Sequence, residues 1–268
     1  MSTTQDRGSL IWYELMTDDP AGASAFYGAV VGWTIAAEGN AMLGGGEYRM
    51  IGRADGGHAG GVLTITPAMA GHGVKPGWFG YVHVPDVDAA AAKLVAAGGA
   101  VHMPATDMPV GRIAMVSDPW GAVFYLMDPV PPPGQPDAKS DVFDPDQPQR
   151  VRWHDLWTGD QDAAQALYAD LFGWQQQGEM PMGDGRVYRF MANGQGLFGG
   201  IGPALPDGRG PRWDITVGVA DIDRAAAAVE ANGGALLGQP HQVPGGDYMV
   251  HIRDPQGAHL GLVGPRKE

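Results

Sequence analysis

The sequence predicts an α+β fold built from four βαβββ modules, two in each of two tandem domains. Two observations carry this. First, residues 12–33, WYELMTDDPAGASAFYGAVVGW, return at 153–174 as WHDLWTGDQDAAQALYADLFGW, with Trp12, Leu15, Thr17, Asp19, Ala23, Ala25, Tyr27, Gly32 and Trp33 recurring 141 residues on. Second, VPDVDAAAAKLVAAGGA (84–100) matches VADIDRAAAAVEANGGA (219–235), and DPWG (118–121) matches DPQG (254–257). Tyr48-Arg49 likewise matches Tyr188-Arg189, and Gly60-Gly61 matches Gly199-Gly200.

The elements follow in order. LIWYELMT is short and partly β-branched or aromatic, and reads as a strand. Asp18-Asp19-Pro20 then places a capping acid before proline at the first helical position, so a helix of about ten residues should run to Gly28–Gly32. Strands fit around Tyr48–Arg53 and Gly61–Thr66, with MLGGGE as a turn. WFGYVHV opens the next module; its helix starts at Asp86 or Asp88 and stops at Gly98-Gly99, which supply a left-handed cap. Two strands follow, joined by Asp118-Pro119-Trp120-Gly121, the residues a type I turn prefers. The second repeat runs the same course. This gives a first domain at 8–129, a Pro-rich linker at 130–149 whose prolines forbid helix interior and central strand, and a second domain at 150–265. The two domains are expected to pack on each other.

Composition narrows the chemistry. With 268 residues and 44% hydrophobic content the chain can build real cores. It has no cysteine, which excludes disulfides, thiolate nucleophiles and Cys-ligated metal. A formal charge of −13 with four lysines offers no basic patch for nucleic acid or an anionic membrane. MSTTQDRGSL lacks a signal-like apolar region and no run of 18 apolar residues occurs, so a cytoplasmic protein is expected. GGGEY and GGHAGG do not sit between a strand and a helix and are not phosphate loops; G-x-S-x-G and H-E-x-x-H are absent.

The strand leading into TDDPAGASAFYGAVVGW, the later VPDVDAAAAKLVAAGGA and the closing DPWGAVFYLMDP resemble the vicinal oxygen chelate superfamily, which includes glyoxalase I, extradiol dioxygenases and bleomycin-resistance proteins. The resemblance covers the chain outside the linker and termini. It implies two glyoxalase-like domains, each pair of βαβββ modules forming an open eight-stranded curved sheet around a cavity. In the superfamily, His and Glu on the first and last strands of each module hold a divalent cation with open positions for substrate oxygens.

Carried onto this chain, the first-strand ligand positions fall on Trp12, Phe79, Trp153 and Asp214, and the last-strand positions on Val62, Tyr125, Ile201 and Gly261. A slip of two residues offers Glu14, Tyr81, Asp155 and Thr216, with His259 opposite. Neither register yields the His and Glu set, so no cofactor is expected, with a divalent metal as the alternative. The rings of Trp12, Phe79, Tyr125 and Trp153 either plug the site or line a pocket for a planar ligand.

Glu14 and Asp155, acids at the same repeat position on the face of the neighbouring tryptophans, are the candidate catalytic bases or polar anchors. Structural pairing with Arg49 or Arg189 is their alternative. Tyr81, His83, Asp214 and His259 complete the candidate ligand-binding set, whereas His154 faces the other way from Asp155 and forms no dyad with it. The expected function is small-molecule binding; the alternative is a lyase, isomerase or dioxygenase of the same superfamily. The oligomeric state stays open.

Overall fold

The structure is a computed structural model that describes residues 6–42 and 45–267. The first module comprises β1 (Leu10–Thr17), α1 (Pro20–Val30), β2 (Thr34–Ile35), β3 (Asn40–Ala41), β4 (Glu47–Gly52) and β5 (His58–Thr64). A short helix, α2 (Pro67–Gly71), precedes the second: β6 (Gly77–His83), α3 (Val87–Ala96), β7 (Ala100–Met108), β8 (Gly111–Ser117) and β9 (Val123–Pro129). The third holds β10 (Val151–Thr158), α4 (Gln161–Phe172), β11 (Gln175–Gly183), β12 (Arg186–Asn193) and β13 (Gly196–Pro203). The fourth holds β14 (Arg212–Gly218), α5 (Ile222–Ala231), β15 (Ala235–Leu236), β16 (His241–Gln242), β17 (Tyr248–Arg253) and β18 (His259–Gly264).

Helix α2 departs from the expected order. Its signal was present in the sequence: the Thr66 hydroxyl accepts from the Met69 amide and Pro67 occupies the first turn. The four module helices begin as the sequence predicts. Asp19, Asp86, Asp160 and Asp221 each accept a backbone N–H of the first turn, and Asp86, not Asp88, is the cap of α3. Gly173 ends α4 in the left-handed region at φ 75°. Part of the expected MLGGGE turn, Leu43 and Gly44, lies outside the described residues.

The strands form two sheets, ordered β2-β4-β5-β1-β6-β9-β8-β7 with β3 on β4, and β11-β12-β13-β10-β14-β18-β17-β15 with β16 on β17. These are the open sheets of two glyoxalase-like domains in an α+β protein. Along β1 the period of two sends Tyr13 and Leu15, both fully buried, toward the helix-packed core, while Trp12, Glu14 and Met16 take the opposite, helix-free face.

By contact density the chain divides into two compact units that cut across the repeats. One gathers the residues up to Ile11, Gly80–Asp141 and His154–Trp213; the other gathers Trp12–Phe79, Val142–Trp153 and Asp214 onward. Within the second unit the Tyr27 hydroxyl donates to Asp254 Oδ2 at 2.8 Å and accepts from Trp78 Nε1 at 2.9 Å. Within the first, Tyr168 donates to Asp118 Oδ2 at 3.1 Å and accepts from Trp213 Nε1 at 3.3 Å.

The two motif aspartates are prepared for this bond. Asp118 Oδ1 takes the backbone N–H groups of Trp120, Gly121 and Ala122, and Asp254 Oδ1 those of Gln256 and Ala258, which leaves Oδ2 for the tyrosine. The repeated tryptophans close the same joints: Trp33 Nε1 donates to the Gln149 carbonyl at 2.9 Å and Trp174 Nε1 to the Gly8 carbonyl at 2.8 Å. Gly8 and Gln149 are themselves repeat equivalents, both at positive φ (81° and 63°). The repeated Tyr, Trp and DPxG residues are therefore clasps that join module 1 to module 4 and module 2 to module 3.

Candidate functional site

The helix-free faces of the sheets carry the chemistry-bearing residues. In the first module Glu14 pairs in register with Gly61, and in the third Asp155 pairs with Gly200. The last-strand positions expected at Val62 and Ile201 are corrected by this register: both side chains are fully buried on the helix side, because a shift of one residue turns a strand position over. The residues that do share the face with Glu14 and Asp155 are glycines.

Tyrosine fills the space those glycines leave. A Cβ on Gly61 would lie 2.2 Å from the Tyr48 ring, and one on Gly200 would lie 2.3 Å from the Tyr188 ring. Tyr188 donates its hydroxyl to Asp155 Oδ1 in a short hydrogen bond. Tyr48 accepts from Trp12 Nε1 at 2.7 Å, and its hydroxyl is pushed well above the ordinary phenol range by burial and by the Glu14 charge beside it. Glu14 and Asp155 are 2% and 7% exposed. Each repeat thus holds a buried carboxylate next to a tyrosine hydroxyl, on a glycine.

The alternative pairing with arginine is not what the structure forms. Arg49 bonds Glu47 at 3.0 Å, and Arg189 bonds Asp162 at 2.6 Å and Gln165 at 3.0 Å. The informative half of the repeated Tyr-Arg dipeptide was its tyrosine, which sequence reasoning passed over.

The other candidates divide among the modules. Tyr81 and Tyr125 are register partners whose rings stack at 4.1 Å and 12°. His83 is buried, with Nε2 3.8 Å from Asp128. Phe79 and Trp153 are half-buried, and Trp12 is half-buried against Tyr48. In the fourth module Asp214 and Thr216 are buried on β14, and Thr216 pairs with Gly261 on β18; His259 lies two residues before Gly261. His154 behaves as its strand position requires: fully buried on the helix side, it bonds the Phe198 carbonyl at 2.7 Å, and burial lowers its pKa to about 4.

Comparison with known proteins places this geometry. The model of the Glyoxalase/Bleomycin resistance protein/Dioxygenase superfamily matches residues 9–126 and again 150–262. A Mycobacterium tuberculosis protein described as "Putative glyoxylase CFP32" is 30% identical over 261 residues, 97% of this chain and 95% of the relative. A Streptomyces protein described as "Anthracycline biosynthesis protein DauV" is 31% identical over 121 residues, 45% of this chain and 42% of its own. Among solved structures, the Mn(II)-bound glyoxalase from Novosphingobium aromaticivorans aligns with a TM-score of 0.60 at 17% identity, covering 98% of this chain and 84% of that one. A homoprotocatechuate 2,3-dioxygenase variant from B. fuscum aligns at 0.64 and 16%, covering 100% and 73%.

These neighbours correct the expectation that no cofactor is involved, since the glyoxalase with this fold holds Mn(II). The residues were tested against such an ion. The register-matched first-strand positions present Glu14, Tyr81, Asp155 and Thr216, and their last-strand partners are Gly61, Tyr125, Gly200 and Gly261. Among the described residues no three His, Asp or Glu side chains converge as a metal-holding group. They do not fit the His and Glu set, and no chemical step below is routed through a metal. No described helix is long and apolar enough to cross a membrane. Two matches to one family model, in register with two sheets of the same order, decide the classification: the chain belongs to the Glyoxalase/Bleomycin resistance protein/Dioxygenase superfamily.

Proposed function

We propose that this chain binds a small, partly apolar molecule on the helix-free sheet faces, with Asp155–Tyr188 and Glu14–Tyr48 as the groups that meet its polar end. One observation carries this reading: at one repeat position both copies bury an acid next to a tyrosine hydroxyl above a glycine, facing away from the helix-packed core. A buried carboxylate is costly unless hydrogen-bonded, and keeping it twice in a duplicated chain is consistent with use. Paired with a phenol, it can accept a hydrogen bond from a ligand hydroxyl while the phenol serves a carbonyl. The net charge of −13 favours a small molecule over nucleic acid as the partner.

The relative described as an anthracycline biosynthesis protein suggests the first probe, a fluorescent anthracycline. Binding followed by its fluorescence should weaken by about 5- to 10-fold in Asp155→Asn or Tyr188→Phe, the size expected for losing a hydrogen bond to a charged group. No saturable binding, or the wild-type affinity in both variants and in Glu14→Gln, rejects the reading.

The short Tyr188–Asp155 hydrogen bond supports a second reading, in which Asp155 or Glu14 takes a proton during a lyase, isomerase or dioxygenase reaction. The relative described as a glyoxylase points the same way. Turnover of the glutathione–methylglyoxal adduct or of a catechol, with Mn(II) added, should then fall by about 100-fold or more in Asp155→Asn or Glu14→Gln while binding persists. Absence of turnover in the wild-type protein removes this reading and leaves the first.

A further inference from the structure

The two repeats differ where the second and fourth modules carry equivalent residues. In module 2, Tyr81 on β6 faces its register partner Tyr125 on β9, and their stacked rings occupy the helix-free face. Counting from the matched helix and DPxG motifs, the equivalents in module 4 are Thr216 on β14 and Gly261 on β18, and these too are register partners. Two phenol rings are thus replaced by one hydroxyl and a hydrogen atom. The row before changes in the same direction, Phe79 and Val123 giving way to Asp214 and His259.

The exchange leaves chemistry as well as space. Thr216 is 2% exposed, and its Oγ1 has no hydrogen-bond partner. It is aimed over Gly261: a Cβ there would lie 2.3 Å from Thr216 Oγ1, with no nearer neighbour than Thr216 itself. A buried hydroxyl without a partner costs about 1–3 kcal/mol, a cost that a bound oxygen would remove.

We infer that module 4 holds a subsite for one flat aromatic ring bearing a hydroxyl or carbonyl oxygen, the ring lying over Gly261 and its oxygen hydrogen-bonded to Thr216, and that module 2 has closed the matching place with its own Tyr81–Tyr125 stack. This rests on the proposed small-molecule binding and assigns it a ring-recognition residue and a single location per chain. Asp214, buried one row earlier on β14, adds a carboxylate at the rim that favours a donor on the ring.

The test uses the full chain and 1-naphthol, a fluorescent single-oxygen aromatic, titrated by fluorescence and calorimetry. The inference expects one naphthol per chain, a loss of about 3- to 10-fold in affinity for Thr216→Val, and an affinity within about 2-fold of wild type for Thr216→Ser, which keeps the hydroxyl. Thr64→Val, which removes another buried partnerless hydroxyl, on β5, should leave binding unchanged. Two equivalent sites, unchanged affinity in Thr216→Val, or equal losses in Thr216→Val and Thr64→Val overturn it. If naphthol fails to bind while the anthracycline binds and responds to Asp155→Asn, the ring subsite is wrong and the proposed function stands. If neither probe binds, both fall.

Discussion

Replacing Tyr27 by phenylalanine removes one oxygen from the fully buried centre of the joint between modules 1 and 4. That oxygen makes two bonds, donating to Asp254 Oδ2 at 2.8 Å and accepting from Trp78 Nε1 at 2.9 Å. A hydrogen bond to a charged group contributes about 1.5–3 kcal/mol, and a buried indole N–H left without a partner costs about 1–3 kcal/mol. Asp254 keeps its backbone donors on Oδ1, so the lower half of the summed range applies, about 3 kcal/mol. The ring itself stays, and its packing against Phe26, Trp33 and Trp78 is retained.

The second copy supplies an internal comparison. Tyr168 makes the same two bonds at 3.1 and 3.3 Å, both longer, so Tyr168→Phe should cost less, about 2 kcal/mol. Urea denaturation followed by tryptophan fluorescence and far-UV circular dichroism measures both. A double-mutant cycle of Tyr27→Phe with Asp254→Asn should show a coupling of about 1 kcal/mol or more. A cost below about 0.5 kcal/mol for Tyr27→Phe, the range of an ordinary surface change, or no coupling to Asp254, would refute the clasp as the reason these motif residues are repeated.

Further outcomes are expected. His154, held near pKa 4 in the folded chain against 6.5 unfolded, binds its proton more readily when unfolded, so its contribution is full above pH 6.5 and is lost as pH falls toward 4. The loss amounts to about 3 kcal/mol and should appear as a flatter acid limb of stability in His154→Gln than in wild type. Asp118 and Asp254 have carboxyl groups raised by burial; their sign is the reverse, with stability greatest while they stay protonated and declining as pH rises through their folded values. A shallower decline over that window in Asp254→Asn would confirm it in denaturation series at several pH values. Gly200→Ala forces a Cβ into the Tyr188 ring at 2.3 Å; it should cost about 1–3 kcal/mol and weaken anthracycline binding along with Tyr188→Phe, and an unchanged melting temperature would count against the glycine cradle.

The sequence by itself determined the modular plan. The duplication, the aspartate caps at Asp19, Asp86, Asp160 and Asp221, the glycine that ends α4 and the DPxG turns are local or repeated signals, set by backbone sterics and by hydrogen bonds that span a few residues. The alternation in β1 and β10 also placed Glu14 and Asp155 on one face and His154 on the other.

Only the tertiary structure decided the partners. Tyr27 and Asp254 are 227 positions apart and Trp33 reaches Gln149 across 116; no local periodicity reports a bond between strands or helices brought together by module packing. It also decided which residue faces which. Counting from glycine pairs gave Val62 and Ile201, whereas the parallel ladder sets Glu14 against Gly61 and Asp155 against Gly200, and with a side-chain period of two that single step separates the core from the helix-free face. The tyrosines that complete the carboxylate pairs come from a neighbouring strand, across a glycine whose missing Cβ is what lets the ring approach.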